Sequence, residues 1–224
     1  MNRVRAAVAF ALAALAVSTT AREAAADVDE SGLPRVERGP APNGPRLALR
    51  SGVALPFGPV YTASGAIGDV VTGYVPVRLD AGYRIARHFY VGASAELATI
   101  IPNGCPSGAS CSGSHTRFGV MAAYHLLPTA LIDPWFGLGM GYERLFLSRT
   151  VDESTGEISA RGLELVDIDV GADLRVTRFL RMGPVLSGSF GRYTTVSVNG
   201  ANATDFLPAI HAWVLLGFRG AYDL

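Results

Sequence analysis

Eight segments of the chain alternate between apolar and polar residues at every second position. In one of them, Val77, Leu79 and Ala81 fall on one face, whereas Arg78 and Asp80 fall on the other. A period of two residues is typical of β-strands with one apolar face. No segment shows the period of an amphipathic helix, so the sequence predicts an all-β fold. The predicted strands cover about residues 46–57, 74–85, 88–99, 115–126, 134–146, 163–176, 179–191 and 206–222.

The connections between these segments are alternately short and long. The long ones are rich in Gly, Ser, Thr and Asn, as solvent loops are. Short turns at one end and long loops at the other are typical of up-and-down barrels in bacterial outer membranes. The sequence therefore predicts an eight-stranded antiparallel up-and-down transmembrane β-barrel, with the long loops extracellular and both termini periplasmic. The predicted long loops are 58–73, 100–114, 147–162 and 192–205.

The N-terminal residues have the features of a secretory signal peptide. Arg3 and Arg5 precede the apolar stretch 7–17, and small residues follow, with cleavage predicted after Ala21 or Ala26. The apolar stretch is too short to cross a bilayer as a helix. The next residues are polar and rich in proline, which indicates a flexible linker. The predicted organisation is a signal peptide over 1–26, a periplasmic linker over 27–45 and a barrel over 46–224.

The charge of the chain excludes nucleic-acid binding as a predicted function. All 19 basic residues are arginines, 19 residues are acidic, and the formal net charge is zero. No basic patch is therefore expected, whereas nucleic-acid binding depends on one. The sequence also contains no glycine-rich phosphate loop, nucleotide-binding motif or cluster of metal ligands. No cofactor and no metal are predicted.

Two features of the alternating segments predict which face points outwards. The charged face carries many glycines, such as Gly137, Gly139 and Gly171, which leave space for long side chains in a narrow interior. The apolar face has aliphatic residues between two sets of aromatic residues, as expected at the two interfaces of a bilayer. We predict that this face contacts lipid; the alternative is a soluble secreted ligand-binding barrel with an apolar core. The aromatic residues are Tyr83, Phe89, Tyr124, Phe136 and Phe218 near the short turns, and Phe57, Phe118, Tyr142, Phe190 and Phe206 near the long loops.

The signal sequence, the eight alternating segments and the last strand together resemble small outer-membrane barrels of the OmpA and OmpW type. In the last strand, Phe218, Tyr222 and Leu224 share one face. The resemblance is architectural and covers nearly all of the chain after the signal sequence. It implies insertion by the barrel-assembly machinery, which recognises the C-terminal strand. Such barrels usually end in Phe, whereas this chain ends in Leu224.

Arginines and acidic residues occur in equal numbers, seven of each, at the positions predicted to face the lumen. An unpaired charge in a closed lumen costs several kcal/mol, so equal numbers predict a network of buried salt bridges. Eight strands enclose an interior that side chains can fill. A filled lumen is therefore predicted, with an ion or proton path as the alternative. The predicted lumen residues are Arg50, Arg78, Asp80, Arg84, Glu96, Arg117, Glu143, Asp167, Asp169, Asp173, Arg175, Arg181, Arg219 and Asp223.

Turn lengths predict two specific neighbours within this network. A three-residue turn at 86–88 places Arg78 opposite Glu96. A comparable turn between the sixth and seventh strands places Asp173 opposite Arg181. Each pair is predicted to form a salt bridge.

Two cysteines, Cys105 and Cys111, lie six positions apart in the second long loop. In an oxidising compartment, two nearby cysteines without other metal ligands predict a disulfide.

An enzymatic function would require a histidine near the outer rim, because some small barrels modify lipid A with such a residue. Ser114 and His115 are the one candidate pair. Adjacent strand residues point to opposite faces, so the two side chains are not expected to share a proton. His88, His125 and His211 are predicted to face the lumen as hydrogen-bonding residues. The sequence therefore predicts a protein without enzymatic activity.

The predicted function is a contribution to envelope structure, or to surface interactions, through the outer loops. Outer-membrane lipid is the predicted partner, and no extracellular partner is identified. The alternative is a conduit for small apolar molecules, as the resemblance to OmpW-type barrels implies. A conduit requires either a lateral opening or an apolar lining near the rim, and Leu145, Leu147 and Leu165 are candidates for part of such a lining.

Overall fold

The computed structural model describes residues 43–59, 66–151, 154–202 and 209–224. These residues form strands and one short 3₁₀ helix, Ile67–Asp69. No helix among the described residues is long and apolar enough to span a membrane. The strands are β1 Gly44–Phe57, β2 Val71–Ile85, β3 Phe89–Pro102, β4 Ala109–His125, β5 Ile132–Val151, β6 Ser154–Arg175, β7 Leu180–Val198, β8 Ala201–Asn202 and β9 Ile210–Asp223.

Eight of the strands close into an antiparallel barrel. Strands β1 to β7 each pair with the next strand in sequence. Strand β9 pairs with β7 on one side and with β1 on the other, which closes the barrel. The two-residue strand β8 pairs with β7 alone. The predicted all-β fold with an eight-stranded antiparallel up-and-down barrel is confirmed.

The inward and outward faces of the strands are those that the alternation predicts. On β2, Leu79 is 48% exposed and the adjacent Arg78 is 4% exposed. On β3, Leu97 is 63% exposed and Glu96 is 2% exposed. The apolar face therefore lies outside and the charged face inside. This arrangement is the reverse of a soluble barrel with an apolar core, so that alternative is wrong.

The aromatic side chains of the outer face form two groups. Tyr83, Phe89, Phe136 and Phe218 are exposed near the short turns, and Tyr124 is partly exposed beside them. The second group, near the opposite ends of the strands, consists of Phe57, Phe118, Tyr142 and Phe190. Phe206, which was predicted to belong to the second group, lies outside the described residues.

The connection predicted as a long loop over 147–162 is mostly a strand hairpin. The β5–β6 ladder continues past the Leu147–Ile158 pair to the pair formed by Val151 and Ser154. The loop prediction was wrong here because apolar alternation fades where both faces of a strand meet water. The backbone ladder itself does not depend on apolar side chains.

Two other predicted loops are also shorter than expected. The loop predicted at 100–114 is reduced to 103–108, because β3 and β4 extend on either side of it. In the loop predicted at 192–205, β7 continues to Val198 and pairs with β8 across a turn at Asn199 and Gly200. Both turn residues have positive φ, 51° and 81°, a conformation that Asn and Gly tolerate best.

A bulge in β6 changes the phase of its alternation. The pairing with β7 shifts between Glu164 and Val166. As a result, Glu164 faces the interior and Leu165 faces outwards with 47% of its surface exposed. Leu165 was predicted as part of an apolar lumen lining, and that prediction was wrong. A regular period of two cannot reveal a bulge, because the extra residue reverses the faces beyond it.

Candidate functional site

The charged interior of the barrel is the candidate site. Every residue predicted to face the lumen as part of the salt-bridge network is buried, with at most 6% of its surface exposed. The described residues add Arg46, Asp133 and Glu164 to this set. The sequence did not predict these three residues, for different reasons. Arg46 points inwards like Arg50, but it is the first residue of the first predicted strand. Asp133 lies one residue before the fifth predicted strand, and the bulge in β6 reverses the direction expected for Glu164.

The interior charges nearest the short turns form the turn-side cluster. Arg46 on β1 donates to Asp173 on β6, with Nη2 and Oδ2 2.8 Å apart. Arg181 contacts Asp133 and Asp223, with nitrogen to oxygen distances of 3.2 Å in both cases. These contacts connect strands on different sides of the barrel. The charged members are Arg46, Arg84, Asp133, Asp173, Arg175, Arg181, Arg219 and Asp223.

The central cluster lies next to the turn-side cluster along the barrel axis, and it consists of Arg50, Arg78, Asp80, Asp167 and Asp169. Arg50 on β1 contacts Asp80 at 2.9 Å and Asp169 on β6 at 2.7 Å. Arg78 on β2 contacts Asp80 at 3.0 Å and Asp167 on β6 at 2.5 Å. Strands β2 and β6 are four steps apart in a ring of eight, so the contact between Arg78 and Asp167 crosses the lumen. These side chains therefore occupy the middle of the barrel.

The two predicted pairs are not salt bridges in this arrangement. Arg78 is opposite Glu96 in the ladder, as predicted, but its guanidinium group binds the two aspartates named above. Arg181 is opposite Arg175, not Asp173, because the turn after β6 is longer than expected. Inward side chains of an eight-stranded barrel are long enough to reach across it, so the ladder alone does not determine the partner of a charged residue. Some opposed residues do form ion pairs, such as Glu96 and Arg117.

The loop-side cluster contains carboxylates and histidines. Glu143 is flanked by His115 at 3.3 Å and His211 at 2.6 Å. Glu96 lies 3.7 Å from both His115 and Arg117. The members of the cluster are Glu96, His115, Arg117, Glu143, Glu164 and His211, and Arg117 also contacts Glu164.

Space for the Glu143 and His211 side chains depends on Gly191. A Cβ atom at this position would overlap the Glu143 carboxylate and would lie 2.7 Å from Nε2 of His211. Any larger residue at position 191 would therefore displace one of these two side chains.

Charge is distributed unevenly along the barrel axis. The turn-side cluster holds five arginines and three aspartates, whereas the loop-side cluster holds one arginine and three glutamates. The described interior contains eight arginines and nine acidic residues in total. The numbers of buried arginines and buried acidic residues are thus nearly equal, as the sequence predicts. Positive charge is nevertheless concentrated near the short turns.

An apolar and aromatic layer covers the loop-side cluster. Tyr74 packs against Trp213 and His115, with ring centroids 4.7 Å and 4.9 Å apart. Leu145 belongs to the same buried layer, and Leu147 packs against it. The predictions for these two leucines agree with the structure, in contrast to Leu165.

The first connection folds over this layer. Ile67, in the 3₁₀ helix between β1 and β2, is fully buried in the same apolar cluster. Its backbone nitrogen donates to the Gly58 carbonyl at 2.9 Å. Asn103 fixes the neighbouring turn, because its Nδ2 donates to the Gly68 carbonyl at 2.9 Å. The loop-side end of the interior is therefore covered by the protein itself.

A cavity of about 10 Å³ remains between the central cluster and the aromatic layer. This volume accommodates about one water molecule. Its lining includes Tyr74, Glu96, Arg117, Asp167 and Trp213. Each of these residues has a buried polar atom without a hydrogen-bond partner in the described part of the chain. The cavity is thus a polar site of the size of a water molecule, too small for an organic ligand.

The two cysteines are joined at the loop end of β3 and β4. Cys105 and Cys111 form a disulfide with Cα atoms 6.0 Å apart. Cys111 belongs to β4, where it pairs with Arg149 of β5. The bridge therefore fixes the turn 103–108 to the edge of the β-sheet.

The histidines lie in three different environments. His115 is fully buried and Ser114 is exposed on the opposite face, so the two do not form a catalytic pair. His125 is buried between Asp133 at 2.8 Å and Arg46 at 2.9 Å. His88 was predicted to face the lumen, but it stacks on Tyr124 beside the turn that ends β2. No group of three potential metal ligands occurs among the described residues.

Comparison with solved structures places the fold among outer-membrane barrels. A major outer membrane protein from Thermus thermophilus aligns over 81% of this chain and 100% of its own, with a TM-score of 0.50 and 13% identity. Neisserial surface protein A aligns over 81% and 97%, with a TM-score of 0.49 and 15% identity. OprG from Pseudomonas aeruginosa aligns over 81% and 98%, with a TM-score of 0.48 and 13% identity. No protein-family model and no curated protein sequence matches the chain. The fold is therefore that of a small outer-membrane β-barrel, as the sequence resemblance implied.

Proposed function

We propose that this protein is a non-enzymatic outer-membrane barrel that contributes to envelope structure or surface interactions through its loop-side end. The observation that carries the proposal is the inverted distribution of polarity, with charges inside and an apolar face outside. In water, an exposed apolar face of this extent would promote aggregation. In lipid the same face is stable, because a closed barrel satisfies its backbone hydrogen bonds internally.

The orientation in the membrane follows from the unequal ends of the barrel. Gly44 and Leu224 lie at the end with the short turns, where Leu224 N donates to the Pro45 carbonyl at 2.9 Å. Barrels of bacterial outer membranes have short turns on the periplasmic side. We therefore assign both termini to the periplasm and the loop-side end to the exterior. Export by the signal sequence at 1–26 and insertion through the C-terminal strand are parts of this proposal.

The proposed location is tested by cell fractionation and gel electrophoresis. The folded protein is expected in the outer-membrane fraction, and its mobility should change when the sample is boiled. A closed barrel lacks free strand edges and resists detergent, which explains the mobility difference. Recovery in the soluble periplasmic fraction would contradict the proposal.

A conduit for small apolar molecules is the second candidate function. The buried apolar layer that contains Tyr74, Leu145 and Trp213 favours it, because such molecules require an apolar lining. Directly below that layer lie Arg117, Glu143 and the other charges of the loop-side cluster. Apolar molecules do not pass through such a charged layer without a high desolvation cost for the charges. We therefore rank this function below a closed barrel.

A further inference from the structure

Three arginines lie side by side on the outer face at the loop-side rim of the barrel. They are Arg144 on β5, Arg161 on β6 and Arg192 on β7, and all three side chains are exposed. Arg144 is directly opposite Arg161 in the ladder. Arg192 is opposite Leu163, the next outward residue of β6 after Arg161. We call these three residues the rim arginine cluster.

The cluster places like charges next to each other, and no described residue nearby neutralises them. Side chains directly opposite in an antiparallel ladder have Cβ atoms about 5 Å apart, and like charges at this separation are destabilising. No carboxylate in the described part of the chain lies within 4.0 Å of the three guanidinium groups. The exposed Glu157 is four residues from Arg161 on β6, which corresponds to about 13 Å along a strand. The repulsion is therefore relieved by solvent or by a bound anion.

The surroundings of the cluster match the polar boundary of a membrane. Toward the membrane, Tyr142 precedes Arg144 by two residues and Phe190 precedes Arg192 by two residues, and both aromatic side chains are exposed. On the neighbouring strands, the hydroxyl residues Thr116 and Thr195 are opposite Arg144 and Arg161. The arginines thus lie one outward position beyond the aromatic group that marks the interface.

The cluster occupies one side of the rim only. Among the described residues, the corresponding outward positions of β1, β2, β3 and β9 carry Phe57, Thr72, Ile101 and Ile210. The other exposed arginines of the described chain are at separate places. Arg87 and Arg178 lie in two turns at the opposite end, and Arg149 lies on the other face of β5.

We propose that the rim arginine cluster binds the phosphate groups of a phosphorylated glycolipid in the outer leaflet of the membrane. Guanidinium groups bind phosphate oxygens in a bidentate manner, and adjacent arginines can share one phosphate. The position beside the aromatic residues favours a lipid headgroup over free phosphate, because only the lipid is fixed at this depth. A phosphate between Arg144 and Arg161 also removes their mutual repulsion. This inference rests on the proposed location and orientation in the outer membrane.

The test measures lipid binding by the folded full-length protein in neutral detergent, using native mass spectrometry. The probes are diphosphoryl lipid A, the same lipid after removal of both phosphates, and inorganic phosphate. The variant replaces Arg144, Arg161 and Arg192 with Gln. Its matched control replaces Arg87, Arg149 and Arg178 with Gln, which removes the same charge elsewhere. Gel mobility before and after boiling establishes that each protein is folded.

The wild type and the control are expected to bind diphosphoryl lipid A, and the cluster variant is expected to bind on the order of a hundredfold more weakly. This factor corresponds to about fivefold for each arginine near the membrane surface. Equal binding by the cluster variant, or equal binding of the dephosphorylated lipid, would overturn the inference. Displacement of the lipid by inorganic phosphate at similar concentration would show a free-phosphate site and would overturn the lipid assignment.

A single variant keeps the inference testable if the triple variant does not fold. Arg161→Gln removes the like-charge contact with Arg144, so it is expected to be at least as heat-resistant as the wild type in neutral detergent. It is also expected to bind diphosphoryl lipid A about fivefold more weakly. Unchanged lipid binding in this variant would contradict the inference. Failure of the wild type to reach the outer membrane would instead contradict the proposed function.

Discussion

Arg50 illustrates how a residue with a permanent charge is accommodated in the lumen. It is 1% exposed and contacts Asp80 and Asp169. Asp169 in turn accepts a hydrogen bond from Ser187 at 2.5 Å. Removing one partner of a buried ion pair leaves an uncompensated charge, which is more costly than exchanging both partners for apolar residues. Each member of the network therefore depends on its neighbours on other strands.

The contact between Arg78 and Asp167 gives a test of this dependence. Arg78→Ala and Asp167→Ala are each expected to lower the free energy of unfolding by about 3–5 kcal/mol, because each removes the nearest partner of a buried charge. The double variant should lose less than the sum, with a coupling free energy of about 0.5–3 kcal/mol. Urea unfolding in lipid vesicles, followed by gel mobility, measures these values.

A matched cycle uses Arg78→Ala with Glu96→Ala. These residues are opposite in the ladder, but no salt bridge joins them. The coupling should therefore be smaller than that between Arg78 and Asp167. A larger coupling for Arg78 with Glu96 would show that ladder neighbours pair and that the contacts across the lumen are wrong.

Val170 tests the assignment of the outer face. It is 44% exposed on β6 and points away from the lumen. Val170→Arg places a charge near the centre of the membrane and should lower the free energy of unfolding by about 2–4 kcal/mol. The control Thr155→Arg changes an exposed residue of the same strand beyond the membrane and should have little effect. Equal effects of the two substitutions would contradict the proposed membrane position.

At the residue scale, the sequence predicted side-chain direction well and side-chain partners poorly. Val170 and Arg78 were assigned to the correct faces because direction depends only on a local period of two. The partner of Arg78 depends on which distant strands face each other across the lumen, which is a property of the closed barrel. Glu164 was missed because a bulge reverses the alternation without changing the local composition.

At the scale of whole elements, β4, β5, β6 and β7 continue beyond the paired length of the other strands. The β5–β6 ladder reaches Val151 and Ser154, whereas the β3–β4 ladder ends at Thr99 and Ser114. One side of the loop-side end is therefore a β-sheet rather than a set of irregular loops. The rim arginine cluster lies at the base of this sheet, so its arginines are held on paired strands.

The disulfide belongs to this end of the molecule and is expected to be dispensable for barrel folding. The β3–β4 ladder extends from Phe89 to Thr99 and does not include either cysteine. Replacing Cys105 and Cys111 with Ser removes a small closed loop whose entropic contribution is about 2–3 kcal/mol. This contribution acts on the turn itself. The double variant should retain the mobility change on boiling, and a failure to assemble would contradict the expectation.

Mass spectrometry of the non-reduced protein, after treatment with a thiol-specific reagent, provides the complementary measurement for the disulfide. The wild type is expected to show no reaction with a thiol-specific reagent until it is reduced. Two reactive thiols in the protein isolated from the outer membrane would contradict the bridge between Cys105 and Cys111.

The sequence predicted the turn at 86–88 and the number of barrel strands correctly, but it underestimated the turn after β6 and overestimated three loops. The turn at 86–88 was predicted because a clear apolar alternation flanks it on both sides. Above the membrane, the strand pairs around Ser148 and Glu157 carry polar residues, and their composition is that of a loop. Only the ladder with neighbouring strands distinguishes such a strand from a loop, and that ladder is a long-range property.

For the molecule as a whole, the ends of the interior differ in polarity. Positive charge predominates near the short turns, and the loop-side end is covered by an apolar layer that includes Ile67, Tyr74 and Trp213. Salt bridges between β1, β2 and β6 cross the space between them. A barrel of eight strands has an interior that side chains can fill. Here the turn-side, central and loop-side clusters fill it together with the apolar layer.

A filled interior predicts that the purified wild-type protein forms no stable ion channel. Ions would have to displace the contact of Arg78 with Asp167 and also pass the aromatic layer around Tyr74 and Trp213. Planar-bilayer recordings of the wild type are therefore expected to show no steady conductance of the size that a water-filled pore produces.

A variant with both Tyr74→Ala and Trp213→Ala, which opens the aromatic layer alone, should still be closed, because the central salt bridges remain. Adding Arg78→Ala and Asp167→Ala to that variant removes the second barrier and should produce measurable conductance if the barrel still assembles. Stable conductance from the wild type would show that the interior is open and would favour the conduit over the closed barrel.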